Sequence, residues 1–489
     1  MGDDSSIGDA VQAMLGTSPC SVTLPAGAGK TELIAAAAAD VATRGGTSLV
    51  LTHTHAGVDA LRRRMKKFGI ANDAVSVRTI DSWSYDLIAH FPVLAGLAVP
   101  ATPNWSRVAD YHRAAARTVG TGAVERMLKV SYTNLFVDEY QDCLTDQHEL
   151  VLALAAVLPT AVLGDPLQGL FNFGRNQPVD WYSDVHPYFP AVDVDHRPRR
   201  WDPDHQDLGA WLVTIRDQLL NGLPIDLTST PVQWIQRSDP RTYIGVCYAA
   251  LRLEGTIAVL GRFRPDCVNA AGALGGSYSV MEAIDEKVPM ALATKIDTKG
   301  GPEVAAATVE FAVGCTSGIP SHISAAKRRQ LREGGSFTTR NPALRPAYEA
   351  VVQVRDTPTP ATVGTALRLL SKLPGVTIHC RDAWNEVRRS AAMAVTDGCT
   401  VTEALELTRG HTRVAGRRPS GRVVSRPLLV KGLEYDHVII LNPANYSAQE
   451  LYVALTRGSK SVTVISDTMV LPAVRMATRP AMPRQSHKG

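Results

Sequence analysis

Val137-Asp138-Glu139-Tyr140-Gln141-Asp142 sets two adjacent acids at the end of an apolar run, Leu135-Phe136-Val137, and this stretch decides the fold. The run reads as a short buried strand, and charged residues at a strand's carboxyl end read as a ligand site. Upstream, Leu24-Pro25-Ala26-Gly27-Ala28-Gly29-Lys30-Thr31 is a glycine-containing loop that closes on Gly-Lys-Thr. Together they predict a triphosphate site. The N–H groups of Gly27, Ala28 and Gly29 would wrap the phosphates, Lys30 would reach the β and γ oxygens, and the Thr31 hydroxyl would hold Mg²⁺. Asp138 would complete the metal shell, and Glu139 would position and deprotonate a water. ATP and Mg²⁺ are therefore the expected cofactors.

Other short β-rich runs recur along the chain, at 21–24, 48–52 and 160–163 and again at 256–260, 437–441 and 461–465, with helical segments between most of them. That alternation predicts an α/β fold with two parallel-sheet cores. Residues 1–83 and 134–190 form the first, with a small helical insertion at 84–133. Residues 191–269 and 419–470 form the second, with a larger helical insertion at 270–418. A disordered basic tail is expected at 471–489.

Composition narrows the class. Of 489 residues, 45% are hydrophobic and 20% charged, as in an ordinary globular protein, and no apolar run is long enough to span a bilayer. The acidic N-terminus argues against a secretory signal. Seven cysteines without a Cys-x-x-Cys pair argue against a metal ribbon or disulfide framework and for the cytoplasm. His53 and His55 lack a third ligand at metal-binding spacing. A net charge of +4 neither demands nor excludes nucleic acid.

Seven ordered motifs over residues 24–460 resemble superfamily 1 helicases of the UvrD/Rep type. The extended motif Asp-Glu-Tyr-Gln-Asp is one. Thr52-His53-Thr54-His55 and Val77-Arg78-Thr79-Ile80-Asp81-Ser82-Trp83 match the family's strand-contacting segments, with Asp81 where a histidine is usual. Asp81 is expected to turn away from phosphate or to cap the next helix, and Trp83 to pack rather than stack. Gly164-Asp165-Pro166-Leu167-Gln168 matches the motif whose Gln contacts the γ-phosphate. Asp195-His196-Arg197-Pro198 and Glu450-Leu451-Tyr452-Val453-Ala454-Leu455-Thr456-Arg457 match the arginine-bearing motifs. Leu429-Val430-Lys431-Gly432-Leu433-Glu434-Tyr435 matches a third motif of the second core, without its leading histidine.

The resemblance implies two RecA-like cores. It gives Lys30, Glu139, Gln168, Arg197 and Arg457 catalytic roles, with both arginines entering from the second core. Gln12, His196, Gly432 and Glu434 would contact nucleotide. Thr52, Thr54, His55, Arg62, Thr79, Phe171 and Phe173 would touch DNA, the two phenylalanines by stacking or else by core packing. The implied activity is ATP-driven 3′→5′ movement on single-stranded or forked DNA. The alternative is a DNA-stimulated ATPase serving a separate nuclease subunit, as in phage-defence pairs of the Gabija sort.

Overall fold

A computed structural model describes residues 3–100, 103–170, 178–195, 197–201, 203–282, 287–415 and 421–472. They fold as two compact units. The first holds the described parts of Met1–Pro231, Tyr446–Lys460 and Val470–Gly489; the second holds those of Val232–Asn445 and Ser461–Met469.

In the first unit, β1 (Cys20–Thr23), β2 (Ser48–Thr52), β3 (Val75–Thr79), β4 (Asn134–Val137) and β5 (Thr160–Gly164) form one sheet in the order β1-β5-β4-β2-β3. Every pairing is parallel. β2 and β5 are buried throughout, as strands covered on both faces must be. The helices are α1 (Asp3–Gly16), α2 (Lys30–Thr43), α3 (His55–Lys67), α4 (Ile80–His90), α5 (Pro92–Ala95), α6 (Val108–Gly120), α7 (Glu125–Ser131), α8 (Thr145–Ala155) and α9 (Gln206–Leu220). Two apolar cores flank the sheet. One is alanine-rich and lies under α1 and α2, and the other, with Trp83, Tyr111, Tyr140 and Trp181, lies under α4, α6 and α8. Trp83 is thus packed. β6 (Ile225–Asp226) pairs antiparallel with β15 (Val470–Leu471).

The second unit has a six-stranded sheet in the order β7-β14-β13-β8-β12-β9. Its strands are β7 (Gln233–Gln236), β8 (Ile257–Leu260), β9 (Ser279–Val280), β12 (Arg422–Ser425), β13 (Tyr435–Leu441) and, from Ser461 on, β14 (Gly458–Ser466). The pairings β7–β14, β13–β8, β8–β12 and β12–β9 are parallel. Helices fill most of the interval between β9 and β12, broken by the small ladder β10 (Thr316–Ser317) with β11 (Thr377–Ile378). Ile257 and Val259 of β8 share one core with Phe311, Val351, Leu367 and Trp384 of those helices. The fold is therefore α/β with two parallel sheets, each carrying helices.

The units divide the chain differently from the boundaries inferred from motifs. Residues 191–231 and Tyr446–Lys460 belong to the first unit rather than to a second core. The reason is packing. α9 buries Leu208, Leu212, Ile215 and Leu219, and the late helix Ala448–Leu455 is buried at every position from Leu451 to Leu455.

Candidate functional site

Each of the five strands of the first sheet ends in one of the motifs, so they gather along one carboxyl edge. β5 lies between β1 and β4, which sets Asp165 between the Gly-Lys-Thr loop and the acidic pair.

The loop after β1 turns on two left-handed glycines, Gly27 at φ 72° and Gly29 at φ 88°, which hand the chain to α2 at Lys30. A Cβ on Gly27 would lie 2.8 Å from the Trp201 ring and 2.9 Å from Arg200 Cβ. Lys30 is 8% exposed, and its Nζ donates to Leu24 O at 3.1 Å. The lysine thus folds back across its own loop, where a triphosphate's oxygens would compete for it. Thr31 stands in the first turn of α2, half-buried.

After β4, Asp138 is 5% exposed and accepts from the N–H of Glu139. Glu139 takes a left-handed backbone at φ 55°, ψ 39°, a strained choice for a side chain of that size and a frequent mark of active sites. Its carboxylate accepts a hydrogen bond from Gln141 Nε2. Gln141 Oε1 in turn accepts from the N–H of Asp165 at 2.9 Å. Asp165 Oδ2 accepts from Gln168 Nε2 at 3.0 Å, and Gln168 Oε1 accepts from Arg457 Nη2 at 3.2 Å. An unbroken relay of amides and carboxylates thus joins Glu139 to Arg457. A donor-only N–H at Asp165 and an acceptor-only carboxylate at Glu139 fix which way the Gln141 amide points.

Further contacts hold the relay. Arg216 Nη2 lies 3.1 Å from Asp165 Oδ1, with Asp165 wholly buried. Burial works against the Arg216 charge, and Asp165 reverses that, so its pKa rises. Tyr452 Oη accepts from the N–H of Ala26 in the loop after β1 at 3.1 Å. Burial, with Asp165 adding to it, pushes the Tyr452 phenol up, which keeps it neutral. Arg200 Nη1 donates to Thr456 O at 2.6 Å, and Trp201 Nε1 to Gly458 O at 2.8 Å. Two motif arrays far apart in sequence therefore close on one loop.

The expected site residues are placed as follows. Lys30, Thr31, Asp138, Glu139 and Gln168 come to one sheet edge. Arg457 joins them, but inside the first unit, where the resemblance had it enter from a second core. Arg197 also lies in the first unit, exposed, in the lining of a pocket with Ala28 and Gly29. Gln12 does not come to the loop. Its amide donates to Asp40 and accepts from Arg44, at the far end of α2. The pocket instead receives Ile7 and Ala10 from α1. Gly432, at φ 76°, and the exposed Glu434 lie in the second unit, between Pro427–Val430 and β13.

Among the residues expected to touch DNA, Thr52 is buried at the end of β2. Thr54 caps α3 by accepting from Gly57 N, and Thr79 caps α4 by accepting from Ser82 N. β2 and β3 are neighbours, so both caps and the half-buried His55 share one stretch of the edge. His53 Nε2 meets the Cys143 thiol at 3.6 Å. Arg62 is exposed along α3 and donates to Val77 O at 3.0 Å. Phe171, Phe173 and His196 lie outside the described residues, as does the tail from residue 473. Asp81 does not cap the next helix, since Thr79 does; its carboxylate instead meets a buried histidine. Asp81 Oδ1 meets His112 Nε2 at 2.8 Å, and Asp146 Oδ2 meets His112 Nδ1 at 2.6 Å. Burial alone would lower the pKa of His112; the two carboxylates reverse this and raise it to about 9.

In the sequence Gln141, Asp165 and Tyr452 stand inside motifs and Arg200 ends the basic cluster 197–200, but nothing local assigns them work, and nothing local singles out Trp201 or Arg216. Their roles depend on partners that only folding brings close.

Among the described residues no helix is long and apolar enough to cross a membrane. No protein-family model matches the chain, and no curated protein matches it. Among solved structures it is similar to an arterivirus nonstructural protein 10, a helicase, in complex with DNA. Identity is 10% over 94% of this chain and 63% of that one, with a TM-score of 0.34. The chain thus spans less than two thirds of that helicase's length, and nothing about its reaction follows from so distant a likeness.

Proposed function

We propose that this chain hydrolyses ATP with Mg²⁺ and uses the cycle to move 3′→5′ along single-stranded DNA, opening duplex ahead of it. The observation that carries the reading is the relay from Glu139 through Gln141, Asp165 and Gln168 to Arg457. It ties the residue suited to activate water to the residue suited to stabilise charge on the γ-phosphoryl group. Lys30 and Thr31 at the head of α2, with Asp138 opposite, suit the β and γ phosphates and a magnesium ion. The ion would neutralise charge on the phosphoryl oxygens. Thr54 and Thr79 cap helices at adjacent strand ends, where hydroxyls and helix N-termini suit a sugar–phosphate backbone without reading sequence.

The test is ATP turnover with and without single-stranded DNA, followed by strand displacement on forked substrates. Stimulation by DNA of any sequence, falling steeply as salt rises, is the expected result. Stimulation without displacement would point to the sensing ATPase that serves a separate nuclease. Turnover indifferent to DNA and RNA would remove the motor reading.

A further inference from the structure

The pocket beside the phosphate loop has a wall of Ile7 and Ala10 from α1, Leu24 and Leu33 from either side of the loop, and Val194. All lie in the first unit. An apolar wall next to a loop suited to phosphates suits a nucleobase, since every base offers a π-face. Reading adenine against the other bases takes more. It needs a paired donor and acceptor, as a glutamine amide gives to adenine N6 and N7. Gln12 is the glutamine of α1. Its amide nitrogen donates to Asp40 at 3.2 Å, and its oxygen accepts from Arg44 at 3.2 Å. Asp40 lies ten residues beyond Lys30 on α2, about 15 Å along the helix axis at 1.5 Å per residue. Held there, the Gln12 amide is engaged at the far end of α2 and not at the loop.

Among the described residues of the pocket, the charged side chains do not replace it. Glu32 is tied to Arg64 at 2.5 Å. Asp195 presents a carboxylate, which accepts from an N–H that each of the four bases displays. A guanidinium finds a ring nitrogen or carbonyl acceptor on each of them as well.

We propose that this site takes nucleoside triphosphates with little regard for the base, purine or pyrimidine, and selects them by the triphosphate. The inference rests on the triphosphate reading above and deepens it. Apolar contact alone separates related ligands by about 10–200-fold, whereas a site that hydrogen-bonds its ligand's edge separates them by 10⁴ or more.

The test is kcat/KM of the full chain for ATP, GTP, CTP and UTP with Mg²⁺, beside competition of each against a fluorescent triphosphate. All four are expected to fall within about tenfold. A preference beyond about a hundredfold for one base overturns base tolerance and leaves the triphosphate site standing. Failure to bind or hydrolyse any of the four overturns both. Ile7→Ala should raise KM for all four by a common factor, and a rise confined to one base would count against the wall. Gln12→Ala should leave the ratio of ATP to UTP turnover where it was; a selective loss of ATP would show that Gln12 reads adenine after all.

Discussion

Arg457 and Gln168 stand 289 positions apart in the chain and meet at 3.2 Å, the Arg457 guanidinium donating to the Gln168 side-chain carbonyl. Both are nearly buried, at 2% and 3% exposure. Arg457 also donates through Nε to Val453 O, so its head is aimed by the helix that precedes it. The contact pins the late helix to the loop after β5, within one compact unit. A γ-phosphoryl group entering there would meet an amide and a guanidinium already held side by side.

Arg457→Ala is expected to keep ATP binding within about tenfold and to lose roughly 10³–10⁵ in stimulated turnover. Nucleotide titration and steady-state hydrolysis measure the two, with a thermal melt to confirm folding. Parent-like turnover in a folded Arg457→Ala protein would take this residue out of the chemistry.

Glu139→Gln should bind ATP and turn it over very slowly, because the amide keeps the shape and cannot accept a proton from water. Filter binding after a single turnover would show ATP retained. If binding disappears with turnover, Glu139 is a structural residue.

Gln141→Leu cuts the relay at its second link and leaves the buried N–H of Asp165 without its acceptor, at a cost of about 1–3 kcal/mol. Gln141→Glu keeps an acceptor for that N–H but sets a second carboxylate beside Glu139. We expect both variants to lower kcat with KM little changed, and only Gln141→Leu to lower the melting temperature by the larger margin. Unchanged kcat in both would reduce Gln141 to packing.

His112 gives a pH dependence whose sign is fixed by its partners. Asp146 and Asp81 overcome the effect of burial and raise the folded pKa from 6.5 to about 9, so folding favours the imidazolium. The stabilisation is full below about pH 6.5 and is lost as pH rises through about 9, on the order of 3 kcal/mol. Urea melts at pH 6, 8 and 10 should show that loss, and His112→Gln should flatten it. A parent protein with equal stability at pH 6 and 10 would contradict the assignment.

The loops at the strand ends were legible because each needs a residue type that nothing else supplies. Gly27 and Gly29 must take positive φ, Lys30 must follow them, and Asp138 and Glu139 must end a buried strand. The alternation of apolar runs with helices likewise gave the α/β class. What lay outside reach was partnership. Gln141 is two residues from Glu139, yet its other partner is Asp165, 24 residues on. Tyr452 and Ala26 are 426 apart. The triad of Asp81, His112 and Asp146 joins three helices by contacts that no periodicity encodes. Gln12 shows the converse. Its distance from the loop along the chain suited a nucleotide contact, but the face of α1 decided otherwise.

The first unit is discontinuous in the chain, and that has a consequence for how the protein comes off the ribosome. Residues 1–231 emerge first, with the phosphate loop, the acidic pair and Gln168 already made, while the segment Tyr446–Lys460 is still to be synthesised. Until it arrives, the Ala26 N–H lacks the Tyr452 hydroxyl and Gln168 lacks Arg457. Contacts of such sequence separation form late and slowly. The nascent polypeptide therefore carries the loop after β1 and the acidic pair without their late partners until the segment Tyr446–Lys460 is made, and the relay from Glu139 stays open at Gln168 until then. A product that stops before Tyr446 would leave Gln168 without Arg457 and Ala26 without Tyr452, however well its own sheet had formed.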